Sequence, residues 1–195
     1  MKLSILICTI IERSDNFASR ILKELQSQRH KSKYRDQVEI IYLGDDCQMS
    51  VGEKRNKLIS MGKGIYCCFV DDDDTLNQNY IAEIFEGFRI APDKDCYNFM
   101  VSYSNGMDHK NTPVYYSIAY EKDRNTSSSF ERLPNHLMVI KKSIAERVKF
   151  KEIDRGEDTL WAREVQPLLK TEHLIPKVLY YYNWNPSTTA TQRNR

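Results

Sequence analysis

Hydrophobic and polar positions along the chain fall into two alternating patterns. Short apolar runs of strand length occupy residues 2–8, 38–43 and 65–70, and the stretches between them carry helical spacing. Phe17, Ile21, Leu22 and Leu25 share one face of a predicted helix over 15–28, capped by Ser14 or Asp15. A second helix is predicted over 52–61, with Gly62 and Gly64 bracketing its end, and a third over 78–90, capped near Asn77 and stopped before Pro92. This β-α-β-α-β-α order predicts an α/β fold with a mostly parallel, Rossmann-like central sheet flanked by helices. The second half changes character. Tyrosine-rich strands are predicted over 96–103 and 113–120, around a polar hairpin or wider turn that includes Gly106 and His109. Residues 125–129 read as a flexible surface loop. A strand over 136–140, a short helix over 141–147, a helix opening at Gly156-Glu157-Asp158 and a last strand over 174–182 follow. The whole predicts one domain over 1–185 with an antiparallel-flavoured C-terminal half and a polar tail over 186–195.

Composition narrows the class without naming a function. Of 195 residues, 41% are apolar and 29% charged, the balance of an ordinary soluble globular protein. A net charge of +2 gives no whole-chain attraction to nucleic acid or to a membrane surface. No apolar run approaches the roughly 20 residues of a membrane helix, so no transmembrane segment is expected, and the first residues read as a strand, not a secretory leader. Five cysteines without CxxC or Cys/His spacing point to reduced thiols and a cytoplasmic location.

The sharpest chemical feature is Asp71-Asp72-Asp73-Asp74, directly after the third apolar run. Extended backbone would turn Asp71 and Asp73 to one side and Asp72 and Asp74 to the other. Carboxylates packed this closely repel, and a divalent cation removes that repulsion; a solvated acidic turn is the alternative. Thr9, Asp45 and Asp71 each fall at the carboxyl end of a predicted parallel strand, where ligands of such sheets gather, so they predict one composite site. Thr9 could also simply finish its strand, and Gly44-Asp45-Asp46 could be a tight turn. Lys54 and Arg55, near the start of the second helix, are candidate phosphate contacts.

Taken together, these segments resemble the family 2 glycosyltransferases of the GT-A fold, from Leu3 to about Tyr182. The resemblance rests on Ser50-Val-Gly-Glu-Lys-Arg-Asn-Lys-Leu, on Gly64 through Asp74 as a D-x-D motif, on Glu39-Ile-Ile-Tyr-Leu-Gly-Asp-Asp, and on Gly156-Glu157-Asp158 with Trp161. It implies a nucleotide-sugar-binding half over 1–95 and an acceptor-side half over 96–185. It also implies a metal-dependent, inverting transfer of a sugar, from a UDP-sugar by preference, to an acceptor hydroxyl. Mn²⁺ or Mg²⁺ would sit on Asp73 and Asp71, donor contacts would come from Thr9, Glu12, Arg13, Asp45, Arg55, Asp71 and Asp72, and Asp158 would be the general base. Residues 8–13 keep the family's threonine and add Arg13, but lack the aromatic that many relatives place there. His30, His109, His136 and His173 show no ligand spacing, and none is assigned a role. The acceptor stays open among glycan, lipid, protein and modified nucleobase, and a homo-oligomer or partner is expected to complete its side. Two other readings fit parts of the sequence. Asp71 through Thr75 also matches the nucleophile loop of haloacid-dehalogenase-like phosphatases, with Asp71 and Asp73 as the working pair, and a non-catalytic nucleotide-sugar-binding module would need the same pocket.

Overall fold

Leu3, Ile5, Leu6 and Ile7 are all fully buried, which requires a strand covered on both faces. That strand, β1 (Leu3–Ile10), runs parallel to β2 (Val38–Asp45) on one side and to β3 (Tyr66–Phe69) on the other. The computed structural model describes residues 1–184, so the predicted tail lies outside the described residues. The helices arrive where expected, with shifted ends. The first is built from α1 (Ile11–Arg13), a π-helical turn over Ser14–Ala18 and α2 (Ser19–Lys31), which buries Ile21 and Leu25. Helix α3 (Val51–Met61) starts where the Ser50 side chain accepts the Glu53 N–H at 3.2 Å. The short strand β4 (Thr75–Leu76) and helix α4 (Tyr80–Ile90) follow the aspartates, and α4 buries Tyr80, Ile81, Ile84, Phe85 and Phe88.

The second half joins the same sheet by both antiparallel and parallel pairing. Strand β5 (Cys96–Ser104) pairs antiparallel with β6 (Thr112–Tyr116), as the hairpin reading predicted, although β6 stops four residues short of Tyr120. The predicted surface loop at 125–129 is the tip of a hairpin between β7 (Arg124–Asn125) and β8 (Phe130–Arg132), closed by the Thr126 N–H on the Ser129 carbonyl at 2.8 Å. Strand β9 (Val139–Lys141) fits antiparallel between β3 and β5. The predicted strand at 136–140 begins too early, because His136 stands before β9 and spends its carbonyl on the Phe69 N–H at 2.8 Å. After α5 (Lys142–Ala145) and α6 (Glu157–Val165), β10 (Glu172–Asn183) runs parallel to β5 and antiparallel to β4. The sheet order is β2-β1-β3-β9-β5-β6-β8-β7, with β10 joining β5 to β4. Parallel pairs flank β1, as expected. Antiparallel pairs join β9 to β3 and β5, β6 to β5, β7 to β8 and β10 to β4, but β6–β8 and β5–β10 are parallel, so the antiparallel expectation for the second half holds only in part. Antiparallel β9 begins at the carboxyl end of β3, and that placement brings the two halves' polar residues together. None of the five cysteines is in a disulfide, and among the described residues no helix is long and apolar enough to cross a membrane.

Candidate functional site

The expected two-sided alternation of the four aspartates does not hold, because the chain turns at Asp72–Asp73 and does not continue as a strand. Each carboxylate meets a different partner. Tyr180 of β10 accepts the Asp71 backbone N–H at 3.0 Å and donates its hydroxyl to Asp74 at 2.8 Å, and the Asn183 N–H adds a second bond to Asp74 at 3.1 Å. Arg20 of α2 donates to the carbonyls of Asp73 and Asp74 at 3.2 and 2.8 Å. Thr9 donates its hydroxyl to Asp72 at 2.7 Å, and the Arg13 guanidinium bridges Asp72 and Asp73 at 2.8 and 2.9 Å while lying over the Phe17 ring. Burial pushes Asp72 up to about 6 against the pull of Arg13 and Thr9. Burial, together with the Asp71 and Asp73 charges, holds Asp74 well above the ordinary carboxylate range. Asp71 goes the other way. Burial acts to raise it, but the charges of His136 and Arg55 prevail and hold it below the usual range. The turn thus presents an ionised Asp71 and a partly accessible Asp73 to one cavity, and commits Asp74 to the interior.

Arg55 links this turn to the late Glu-Asp motif. Its guanidinium lies 3.3 Å from Asp71 and 3.4 Å from Glu157, against the rings of Phe69 and Phe150, and the residue is only 5% exposed. Burial raises the Glu157 carboxyl, with Arg55 opposing. His136 lies between the two motifs, with Nε2 3.4 Å from Asp71 and Nδ1 3.9 Å from Asp158. Asp158, on the first turn of α6, accepts the Thr159 N–H at 2.7 Å. His136 therefore sits between the two carboxylates, closer to Asp71, while its Nδ1 makes no hydrogen bond among the described residues. Sequence reasoning passed over His136. The signal available was an imidazole directly before the apolar run 137–140, but the antiparallel register that puts it opposite Asp71 is not readable from that run.

Two devices fix the spacing of the motifs. Lys54 pairs with the Asp45 carboxylate and donates to the Thr9 carbonyl at 2.9 Å, while Asp45 also accepts the Met49 N–H at 2.6 Å. Asp45 is thereby drawn below its ordinary pKa: burial opposes the shift, and the Lys54 and Met49 bonds outweigh it. The second device ties α3 to the segment before α6. Asn56 exchanges two hydrogen bonds with the Phe150 backbone, both 2.9 Å, and a Cβ on Gly52 would lie 1.8 Å from the Lys151 carbonyl oxygen. Gly52→Ala is therefore expected to displace the 150–156 segment. Overpacking of about 1–3 kcal/mol, at about 2–4 °C per kcal/mol in a chain of this size, should lower the melting temperature by about 2–12 °C. An unchanged thermal unfolding curve would contradict this close approach.

The cavity measures about 550 Å³. Thr9, Arg13, Arg55, Asp71, Asp72, Asp73 and Asp158, all predicted site residues, line it, as do Lys54, His136 and Glu157. Asp45 stands behind Lys54 and Glu12 is exposed; neither lines the cavity. Among the described residues no group of three or more His, Cys, Asp or Glu side chains is placed to hold a metal ion. Asp71 and Asp73 supply hard oxygen donors on one wall, which fits a divalent cation that takes the rest of its shell from a bound ligand.

No family model matches the sequence, and no curated protein matches it. Solved structures do. S. aureus TarS 1–349 in complex with UDP superimposes with a TM-score of 0.70 at 16% identity, over 95% of this chain and 61% of that one. TarS 1–349 in complex with UDP-GlcNAc gives a TM-score of 0.66 at 16% identity, over 94% of this chain and 59% of the other. In fold, this chain is similar to TarS. The mixed α/β architecture expected from the motifs, a GT-A fold, is the one observed. The chain spans about three fifths of the TarS 1–349 structures. The match covers 95% of this chain, so it is not confined to the parallel β-α units.

Proposed function

We propose that this chain is a glycosyltransferase that moves a sugar from a nucleotide sugar, a UDP-sugar by preference, to an acceptor hydroxyl with inversion. The observation that carries this reading is one cavity lined by the linked residues Arg55, Asp71, His136 and Glu157, by Asp158, and by Thr9, Arg13 and Asp73. Its occurrence in a fold similar to TarS structures solved with UDP and UDP-GlcNAc supports the donor class.

In this reading the acceptor oxygen attacks the sugar's anomeric carbon while the bond from that carbon to the diphosphate breaks. Its electron pair leaves with the phosphate oxygen. Asp158 takes the proton of the acceptor hydroxyl, its carboxylate oriented by the Thr159 N–H at 2.7 Å. Arg55, pinned between Asp71 and Glu157, fixes the distance from the donor side to the base. Arg13 leans its positive charge toward the diphosphate, and Asp45 acts through Lys54 to shape the nucleotide end. Asp73 and Asp71 would hold Mg²⁺ or Mn²⁺, which would supply charge neutralisation for the leaving diphosphate.

The test is a thermal-shift and hydrolysis screen of UDP, UDP-GlcNAc and other nucleotide sugars with Mn²⁺ and Mg²⁺, since a ligand of the native state raises its apparent stability. Stabilisation by UDP and slow metal-dependent hydrolysis of a UDP-sugar are expected, with hydrolysis abolished in Asp73→Ala. Absence of binding and hydrolysis with either cation would sink the proposal.

A further inference from the structure

The chemistry above leaves one lobe of the cavity unused. Its wall is aromatic and comes from four places distant in the chain: Tyr103 of β5, His109 of the 105–111 loop, Phe130 of β8 and Tyr182 of β10. The rings touch in series. Tyr103 stacks on Tyr182 with centroids 5.6 Å apart and planes 22° from parallel, Phe130 meets Tyr103 at 5.6 Å and 51°, and His109 meets Phe130 at 4.9 Å and 74°. Rings that serve packing alone, such as Tyr66 and Tyr97, are fully buried, whereas Tyr103, His109 and Tyr182 keep part of their surface open to the cavity. The wall also adjoins the reacting groups. Tyr103, Tyr116 and Tyr182 line the same cavity as Asp71, Asp73 and Asp158. Asp123, Asn125 and Asn135 add short polar side chains at its rim.

We infer that this lobe is the acceptor subsite and that the acceptor is a carbohydrate, whose sugar ring lies against Tyr103, His109 and Tyr182 with a hydroxyl turned to Asp158. The inference rests on the proposed transfer reaction. A sugar ring pairs an apolar C–H face with an edge of hydroxyls, which an aromatic wall rimmed by carboxylate and amide groups matches. Asp123, Asn125 and Asn135 each spend one oxygen within the protein, on Leu133, Arg132 and Leu137. A lipid chain would strip water from their remaining polar atoms without replacing its hydrogen bonds, at a cost in free energy. A nucleobase is served best by a flat slot, and the 51° and 74° angles make this wall a bent corner. Arg132, which lines the cavity, is committed to Asn125 at 2.7 Å, and Arg124, outside the lining, to Glu131 at 2.8 Å, so neither is arranged to track a phosphate backbone.

The test uses saturation-transfer NMR on the full chain saturated with UDP, with methyl glycosides of glucose, galactose and N-acetylglucosamine as probes and adenosine as comparator. A glycoside signal strongest on the C–H protons of one ring face is expected, together with a drop of about fivefold in Tyr103→Ala and His109→Ala, the size of one lost ring contact. UDP stabilisation should persist in both variants. His109 sits on a surface loop, so His109→Ala decides the matter if Tyr103→Ala fails to fold. Glycoside signals that are absent, that survive both substitutions, or that are exceeded by a ring-dependent adenosine signal would overturn the inference. If UDP itself fails to stabilise the protein, it is the transfer reading that falls; if UDP stabilises it and the glycosides do not bind, only the acceptor assignment falls.

Discussion

Asp158→Asn is expected to lower sugar transfer by about 10²–10⁴-fold, the contribution typical of a positioned general base, while UDP binding stays intact. The substitution keeps the shape of the side chain, and an amide oxygen can still accept the Thr159 N–H that now bonds Asp158 at 2.7 Å. What it removes is the ability to take a proton. The side chain is 35% exposed, so no buried charge is created or left without a partner. The loss should therefore appear in kcat, with the apparent affinity for donor unchanged. Steady-state transfer from a UDP-sugar to a glycoside, alongside UDP thermal shifts, separates these quantities. Transfer at the native rate would remove Asp158 from the role.

Arg55→Met is expected to act on stability first. Glu157 has a side chain 6% exposed and meets Arg55 at 3.4 Å; without that guanidinium its charge is buried and uncompensated. Breaking a buried ion pair from one side costs about 3–5 kcal/mol. The pH dependence has a definite sign. Burial already raises the Glu157 carboxyl above its unfolded value, and loss of Arg55 raises it further. An acid with a raised folded pKa destabilises once ionised, so the deficit should be largest at neutral pH and shrink as pH falls through the raised value toward the unfolded one. Loss of Arg55 also takes away one of the charges that keep Asp71 ionised, which works in the same direction. Urea unfolding at neutral and mildly acidic pH tests this. A deficit that does not change with pH would assign the loss to packing on Phe69 and Phe150 instead.

The parallel half of the fold was legible because it is written in local pattern. Apolar runs, helical spacing and the glycines around α3 each state their element within about a dozen residues. The motif residues were legible for the same reason, and Arg55, Asp71, Asp73 and Asp158 do line one cavity. What failed depended on contacts between segments far apart. Period-two alternation presumes that β3 continues, and the chain turns instead where Arg13, Arg20, Thr9 and Tyr180 draw four carboxylates in different directions. His136 became part of the site only through the pairing of β9 with β3, which no spacing of histidines encodes. The stretch at 125–129 read as a surface loop from its serines, and the same hydroxyl-rich residues close the β7–β8 hairpin through Thr126. Asp45 was suggested by its strand-end position and Glu12 by the family resemblance; Asp45 pairs with Lys54, and neither residue lines the cavity.

Tyr180 sets an order of events during synthesis. Four adjacent carboxylates leave the ribosome early, but the hydroxyl that ties Asp71 to Asp74 follows 106 residues after Asp74, and the Asn183 amide 109 residues after it. Until β10 docks against β4 and β5, a nascent chain carries this acidic cluster with neither partner in place. Contacts of such long range form slowly. A chain halted or clipped before β10 can have its first three strands paired and still lack a closed aspartate turn. Donor binding would then register completed topology, and incompletely made molecules would be silent, not partly active.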